Sequence, residues 1–183
     1  MRARSLLVAV PVLGALAAPL ACGTSTSAGT VGGMTLYVAS QAAIGTPNET
    51  GAAVLVFSRP WTCEPQSRPE YADSTVLQLL VASGGPSPLP AGRYEVLAAN
   101  ASGPGVSAFL GGDDSTCTSN PVYRATSGDV TITAVDSSGV KGTYNLTFGE
   151  NGTLAGSLDA PFCPSLDVSG SEDAGAGTQQ CVQ

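Results

Sequence analysis

Between Asp129 and Phe162 an apolar or small side chain recurs at every second position, through three segments separated by glycine-bearing turns. Val130, Ile132 and Ala134 alternate with Thr131 and Thr133. After the turn Asp136–Gly139, residues Val140, Gly142, Tyr144, Leu146 and Phe148 alternate with Lys141, Thr143, Asn145 and Thr147. Gly149-Glu150-Asn151-Gly152 turns the chain again, Asn-Gly being a strong hairpin signal, and Leu154, Gly156, Leu158, Ala160 and Phe162 continue the pattern. Side chains of a strand point to opposite faces at period two, so this stretch predicts an antiparallel meander with one dry face. A dry face needs a cover. A second sheet is the expected one.

The preceding half can supply it. Met34, Leu36 and Val38 alternate, and the apolar run Ala52 to Phe57 suits a central strand. From Thr75 to Val81, Leu77, Leu79 and Val81 share one face while Val76, Gln78 and Leu80 share the other. The proline-rich stretch Gly84 to Gly92 must be a loop, because proline has no ladder donor. Arg93 to Leu97 and Val106 to Phe109 restart strands. The expected fold is all-β, an antiparallel β-sandwich, with a small closed or partly closed barrel as the alternative.

The N-terminus bears on the compartment. Arg2 and Arg4 precede an uncharged apolar run from Leu6 to Ala21, sixteen residues long and interrupted by Pro11, Gly14 and Pro19. That is the layout of a secretory signal, and it is shorter than the roughly 20 residues of a membrane-spanning helix. Cys22 follows directly. With Ala21-Cys22 at this boundary the chain resembles a bacterial lipoprotein precursor, and the resemblance implies that Cys22 is lipidated and becomes the first residue. Gly23 to Gly33 is rich in Gly, Ser and Thr and is expected to be a flexible tether. The expected organisation is a signal peptide over 1–21, lipidated cysteine and tether over 22–33, a β-sandwich over 34–163 and an acidic Gly/Ser tail over 164–183.

Setting Cys22 aside leaves Cys63, Cys117, Cys163 and Cys181, enough for two internal bridges, with three possible pairings. Cys63 and Cys117 lie in polar loops, Cys163 closes the last strand and Cys181 lies in the tail. Cys63–Cys117 with Cys163–Cys181 is the expected pairing, with a link from Cys181 to another chain left open.

Charge narrows the partners. Without Arg2 and Arg4 the chain carries 5 basic and 14 acidic residues, a formal charge of −9. Phosphate binding needs a basic footprint, so nucleic acid is not an expected partner. An anionic bilayer would repel the domain, leaving lipid as the means of attachment.

The segment Gly128 to Cys163 resembles the secreted β-domain lipoproteins of myxobacterial type, in Gly142, Tyr144, Leu146, Thr147, Phe148, Gly152, Gly156 and Cys163. The resemblance covers about a fifth of the chain; it implies a surface-attached domain and supplies no activity.

The chain has no histidine, which removes His-based triads and His metal ligands, and it has no Cys-x-x-Cys or phosphate-loop motif. No catalytic residue, cofactor or metal is expected. Asp113-Asp114 lacks the further acids a calcium loop requires and reads as a solvated turn. Paired carboxylates for hydrolysis have no sequence signature, although a secreted carboxylate-based hydrolase stays as an alternative. Trp61, Tyr71 and Tyr94 are the candidate ligand contacts, since exposed rings stack on sugars or anchor partners, while Trp61 also suits a plug over the core. The expected function is a non-enzymatic binding or structural role in a lipid-anchored cell-envelope protein, placed at the outer membrane by that resemblance, with a carbohydrate- or peptide-binding module as its narrower form and a secreted protein as the other address.

Overall fold

A computed structural model describes residues 26–63, 70–85, 88–163 and 181–182. The signal segment and Cys22 lie outside the described residues. The strands in chain order are β1 (Ser27–Val31), β2 (Met34–Thr35), β3 (Ser40–Ile44), β4 (Gly51–Phe57), β5 (Glu70–Tyr71), β6 (Ser74–Ala82) and β7 (Gly92–Glu95). They continue as β8 (Gly105–Asp113), β9 (Tyr123–Arg124), β10 (Ser127–Asp136), β11 (Gly139–Thr147), β12 (Gly152–Ala160) and β13 (Cys181–Val182). One antiparallel sheet has the order β2-β1-β12-β11-β10-β7 and the other β3-β4-β6-β8-β9. They form a sandwich-like arrangement that does not close into a barrel.

The meander is β10–β11–β12, in the register its alternation demands: Tyr144 faces Val130 on one side and Gly156 on the other. One detail differs. A bulge between Ile132 and Ala134 shifts the register, so Ala134 pairs with Lys141 and Val135 with Val140. Val135, not Ala134, therefore packs against the core, because an extra residue in one strand reverses the faces beyond it.

The expected tether is partly a strand. Ser27–Val31 pairs with Thr153–Gly156 and Gly152 of β12. Its Gly/Thr composition reads as unstructured, but β12 would otherwise offer an open ladder edge, and pairing satisfies it. Gly156, between β1 and β11, leaves the room this join needs: a Cβ there would strike the Tyr144 hydroxyl and the Thr26 carbonyl oxygen. The Tyr144 ring thus lies across Gly156 toward Ser27. Neither the Ser27 nor the Tyr144 hydroxyl has a well-formed hydrogen-bond partner. Burial pushes the Tyr144 hydroxyl above the ordinary phenol value, and a weak bond to Ser27 opposes the rise. The expected tail also contains a paired segment, since β13 runs parallel to β5 with Cys181 opposite Glu70.

The core lies between the sheets. Val54, Val56, Leu77, Leu79, Val106 and Leu110 come from one, and Val130, Ile132, Leu146, Leu154 and Leu158 from the other. Burying each such side chain contributes about 1.5–3 kcal/mol. Phe148, beyond the end of β11, is the largest fully buried side chain among the described residues.

At one seam the sheets are joined by a side chain. Gln41 of β3 donates from Nε2 to the Ser157 carbonyl at 2.9 Å, and its Oε1 accepts from the Asp159 N–H at 2.8 Å. These groups lie past the reach of β1, so one amide completes the ladder that β1 leaves short. Beyond it the chain crosses over: Ala43 donates its N–H to the Pro161 carbonyl at 2.8 Å, and Cys163 donates its own to the Ala43 carbonyl at 2.8 Å.

Candidate functional site

That crossing decides the bridge. Cys163, brought to the β3 edge, meets the loop that leaves β4, and Cys63 bonds to Cys163 with Cα atoms 5.2 Å apart, within the usual disulfide span. The expected Cys63–Cys117 and Cys163–Cys181 pairing is therefore overturned. Loop polarity gives no distance information, whereas the seam places Cys63 and Cys163 side by side. Cys117 is also disulfide-bonded.

The candidate aromatics are not brought together. Tyr94 is buried in the core, 7% exposed, and its hydroxyl donates to the Pro90 carbonyl at 2.6 Å. Burial raises its pKa. Its position inside the sandwich corrects its assignment as a ligand contact. Tyr71 is half-buried on β5. Trp61, also half-buried, stacks on Phe57 with ring centroids 5.1 Å apart and planes at 13°. The disulfide two residues on ties down the loop that carries it.

Asp113 and Asp114 spend their oxygens on their own loop and on the start of β6. Asp113 accepts from the Ser74 and Ser119 hydroxyls. Asp114 accepts from the Thr116 hydroxyl and from the Thr116 and Thr118 N–H groups, and these bonds, the Thr116 hydroxyl's foremost, lower its pKa. Among the described residues no group of three acids, cysteines or histidines is placed to hold a metal.

The feature that sequence reading missed is the outer face of the β3-β4-β6-β8-β9 sheet. Three of the rows that the register sets across it carry its large side chains. Ser40, Phe57, Val76 and Gly111 form the first; Ala42, Leu55, Gln78 and Phe109 the second; Ile44, Ala53, Leu80 and Ser107 the third. Most of these are apolar, although they face away from the core. Trp61 covers the first row through Phe57. The Arg124 guanidinium lies over Phe109 of the second, 5.6 Å from the ring centroid, a cation–π contact. The third row carries neither, and Leu80 is 40% exposed.

An open groove of about 600 Å³ lies over this third row, lined by Ile44, Ala53 and Leu80 and by the β3–β4 loop with Asn48 and Glu49. The loop is held from behind: Leu89, whose side chain is buried in the core, donates its N–H to the Glu49 carbonyl, and Ser83 donates to the Thr50 carbonyl, both at 2.9 Å. The alternating apolarity of Thr75–Val81 on both faces was the available signal for this surface. Val76 and Leu80 stand where a solvated face carries polar side chains.

No family model, curated protein or solved structure matches this chain.

Proposed function

We propose that the chain is an exported, lipid-anchored cell-envelope protein, attached at the outer membrane through Cys22, whose sandwich is a non-enzymatic binding module. The Cys63–Cys163 bond carries this reading. Disulfides persist in oxidising compartments outside the cytosol, which agrees with a basic and apolar leader ending at Cys22. The bond also fixes the Trp61 loop over one part of an apolar sheet face, leaving a preformed groove beside it. A rigid surface of this kind suits recognition, because less ordering is required on binding.

The anchoring half is tested by growing cells with labelled palmitate. The wild-type chain should take up label and lose its leader; Cys22→Ala should accumulate as unlabelled precursor. Label on the Cys22→Ala chain, or its absence from the wild type, would overturn lipidation at this residue.

A further inference from the structure

We infer that the groove over Ile44, Ala53 and Leu80 docks a basic, apolar peptide segment of a partner protein, with Glu49 receiving a lysine or arginine beside an apolar side chain that covers Leu80. The inference deepens the binding-module reading and rests on it. Its floor is the third of these rows, over which neither Trp61 nor Arg124 lies; Ile44 is buried there, while Leu80 is among the few large apolar side chains that the described residues leave exposed.

Charge selects the occupant. Glu49 is the one ionisable side chain among the described residues lining the groove, and among the described residues it has no ion pair. The basic residues that could answer it within the described chain are engaged elsewhere. Arg59 donates to the Ala72 carbonyl, Arg93 pairs with Asp129, Arg124 donates to the Ala98 carbonyl and Lys141 pairs with Asp159. None of these four cations faces Glu49, so among the described residues its carboxylate is left for a partner's lysine or arginine.

The main chain of Glu49 is held by the Leu89 N–H, and its exposed carboxylate lies beside Gly45, where φ is +111° and a Cβ would come 2.8 Å from Oε2. Because the groove is open along its length, it cannot enclose a small ligand as deep pockets do. It suits a segment presented by a larger surface, with an apolar anchor and a charged neighbour.

The probe is an acetylated, amidated tetrapeptide alternating photo-leucine and lysine. It is irradiated with the full processed chain, held in phosphatidylcholine nanodiscs if it carries lipid and in buffer if it does not. Mass mapping should place the cross-links within 44–53 and 80–82. Glu49→Gln and Leu80→Ser should each lower the yield at least about fivefold, whereas Glu150→Gln, on a remote turn, should leave it unchanged. A peptide with glutamate in place of lysine should not label. Cross-links spread evenly over the acidic surface, undiminished labelling of Glu49→Gln, or no labelling of the wild type would each overturn the inference. Palmitate incorporation is read separately, so loss of the groove assignment and loss of the anchor cannot be confused.

Discussion

The two sheets share a core but meet the outside differently. The outer face of the meander carries Thr143, Asn145, Thr147, Lys141 and Asp159, side chains that water satisfies, and needs nothing laid over it. The outer face of the other sheet carries Phe57, Leu55, Val76, Phe109 and Leu80 and is covered piecemeal, by a stacked indole at one row and a guanidinium at the next. A sheet that is apolar on both sides is ordinary where layers cover both faces. Here the second layer is one loop, one side chain reaching over from β9, and a gap. The polar face is explained by folding alone; the apolar face is where folding leaves something over, and exposed apolar patches mark interaction sites when they gather in one place.

The strongest way to break this contrast is to remove the Cys63–Cys163 bond. The two cysteines stand 100 residues apart in sequence, and closing a loop of that length contributes on the order of 4 kcal/mol by restricting the unfolded chain. The double substitution Cys63→Ser with Cys163→Ser should therefore lower the urea stability by about that much. Hydrogen exchange should quicken first in residues 58–63 and 40–44, with 129–147 still protected. An equal loss of protection in both sheets would show that the covered and the wetted faces are not independently held.

A smaller effect belongs to the seam. Gln41→Ala removes both side-chain bonds to β12 and leaves the Ser157 carbonyl and the Asp159 N–H without that partner, at a cost of roughly 2 kcal/mol. Chemical denaturation should register it, and exchange at Asp159 should rise. An unchanged denaturation midpoint would mean that water replaces the amide without loss, and that the sheets are joined by backbone contacts alone.

The smallest effect is on pH, and it should be alike on the two sides. Asp136, in the β10–β11 turn, has its pKa lowered chiefly by the Ser138 hydroxyl, as Asp114 has by Thr116 across the molecule. A carboxyl whose pKa is lower in the folded chain binds fewer protons there than when unfolded. Its contribution is present above the unfolded value, about 4, and is lost as pH falls through the lower folded value. Denaturation midpoints measured between pH 6 and pH 2 should show a slight decline that Asp114→Ala and Asp136→Ala each flatten. At the alkaline end the raised pKa values of Tyr94 and Tyr144 have the opposite sense, and stability should fall as pH climbs past about 10.

The meander was legible because its two faces differ chemically, so period two could be read at nearly every residue. The bulge at Thr133 was not, since one added residue changes direction without changing composition. Strand β3 escaped because Ser-Gln-Ala-Ala-Ile is short and uniformly small, and its place is set by β4 and by the returning end of β12. Strand β1 escaped for the converse reason: Ser-Ala-Gly-Thr-Val has little to bury, and what orders it is an unfilled edge belonging to residues more than a hundred positions away. Tyr94 and Trp61 show the same limit at the candidate site. Both are aromatics near prolines, and only the register of β7 sends one inward while the loop after β4 lays the other over Phe57.

The ordering of β1 has a consequence for reach. Only four residues separate Cys22 from Ser27, and fully extended chain covers at most about 3.6 Å per residue. If Cys22 bears the lipid, the edge of the meander stays within roughly 18 Å of the point of attachment. Such a mooring would let the domain pivot at the bilayer surface without ranging far from it, and anything it bound would have to come within a protein's width of the membrane.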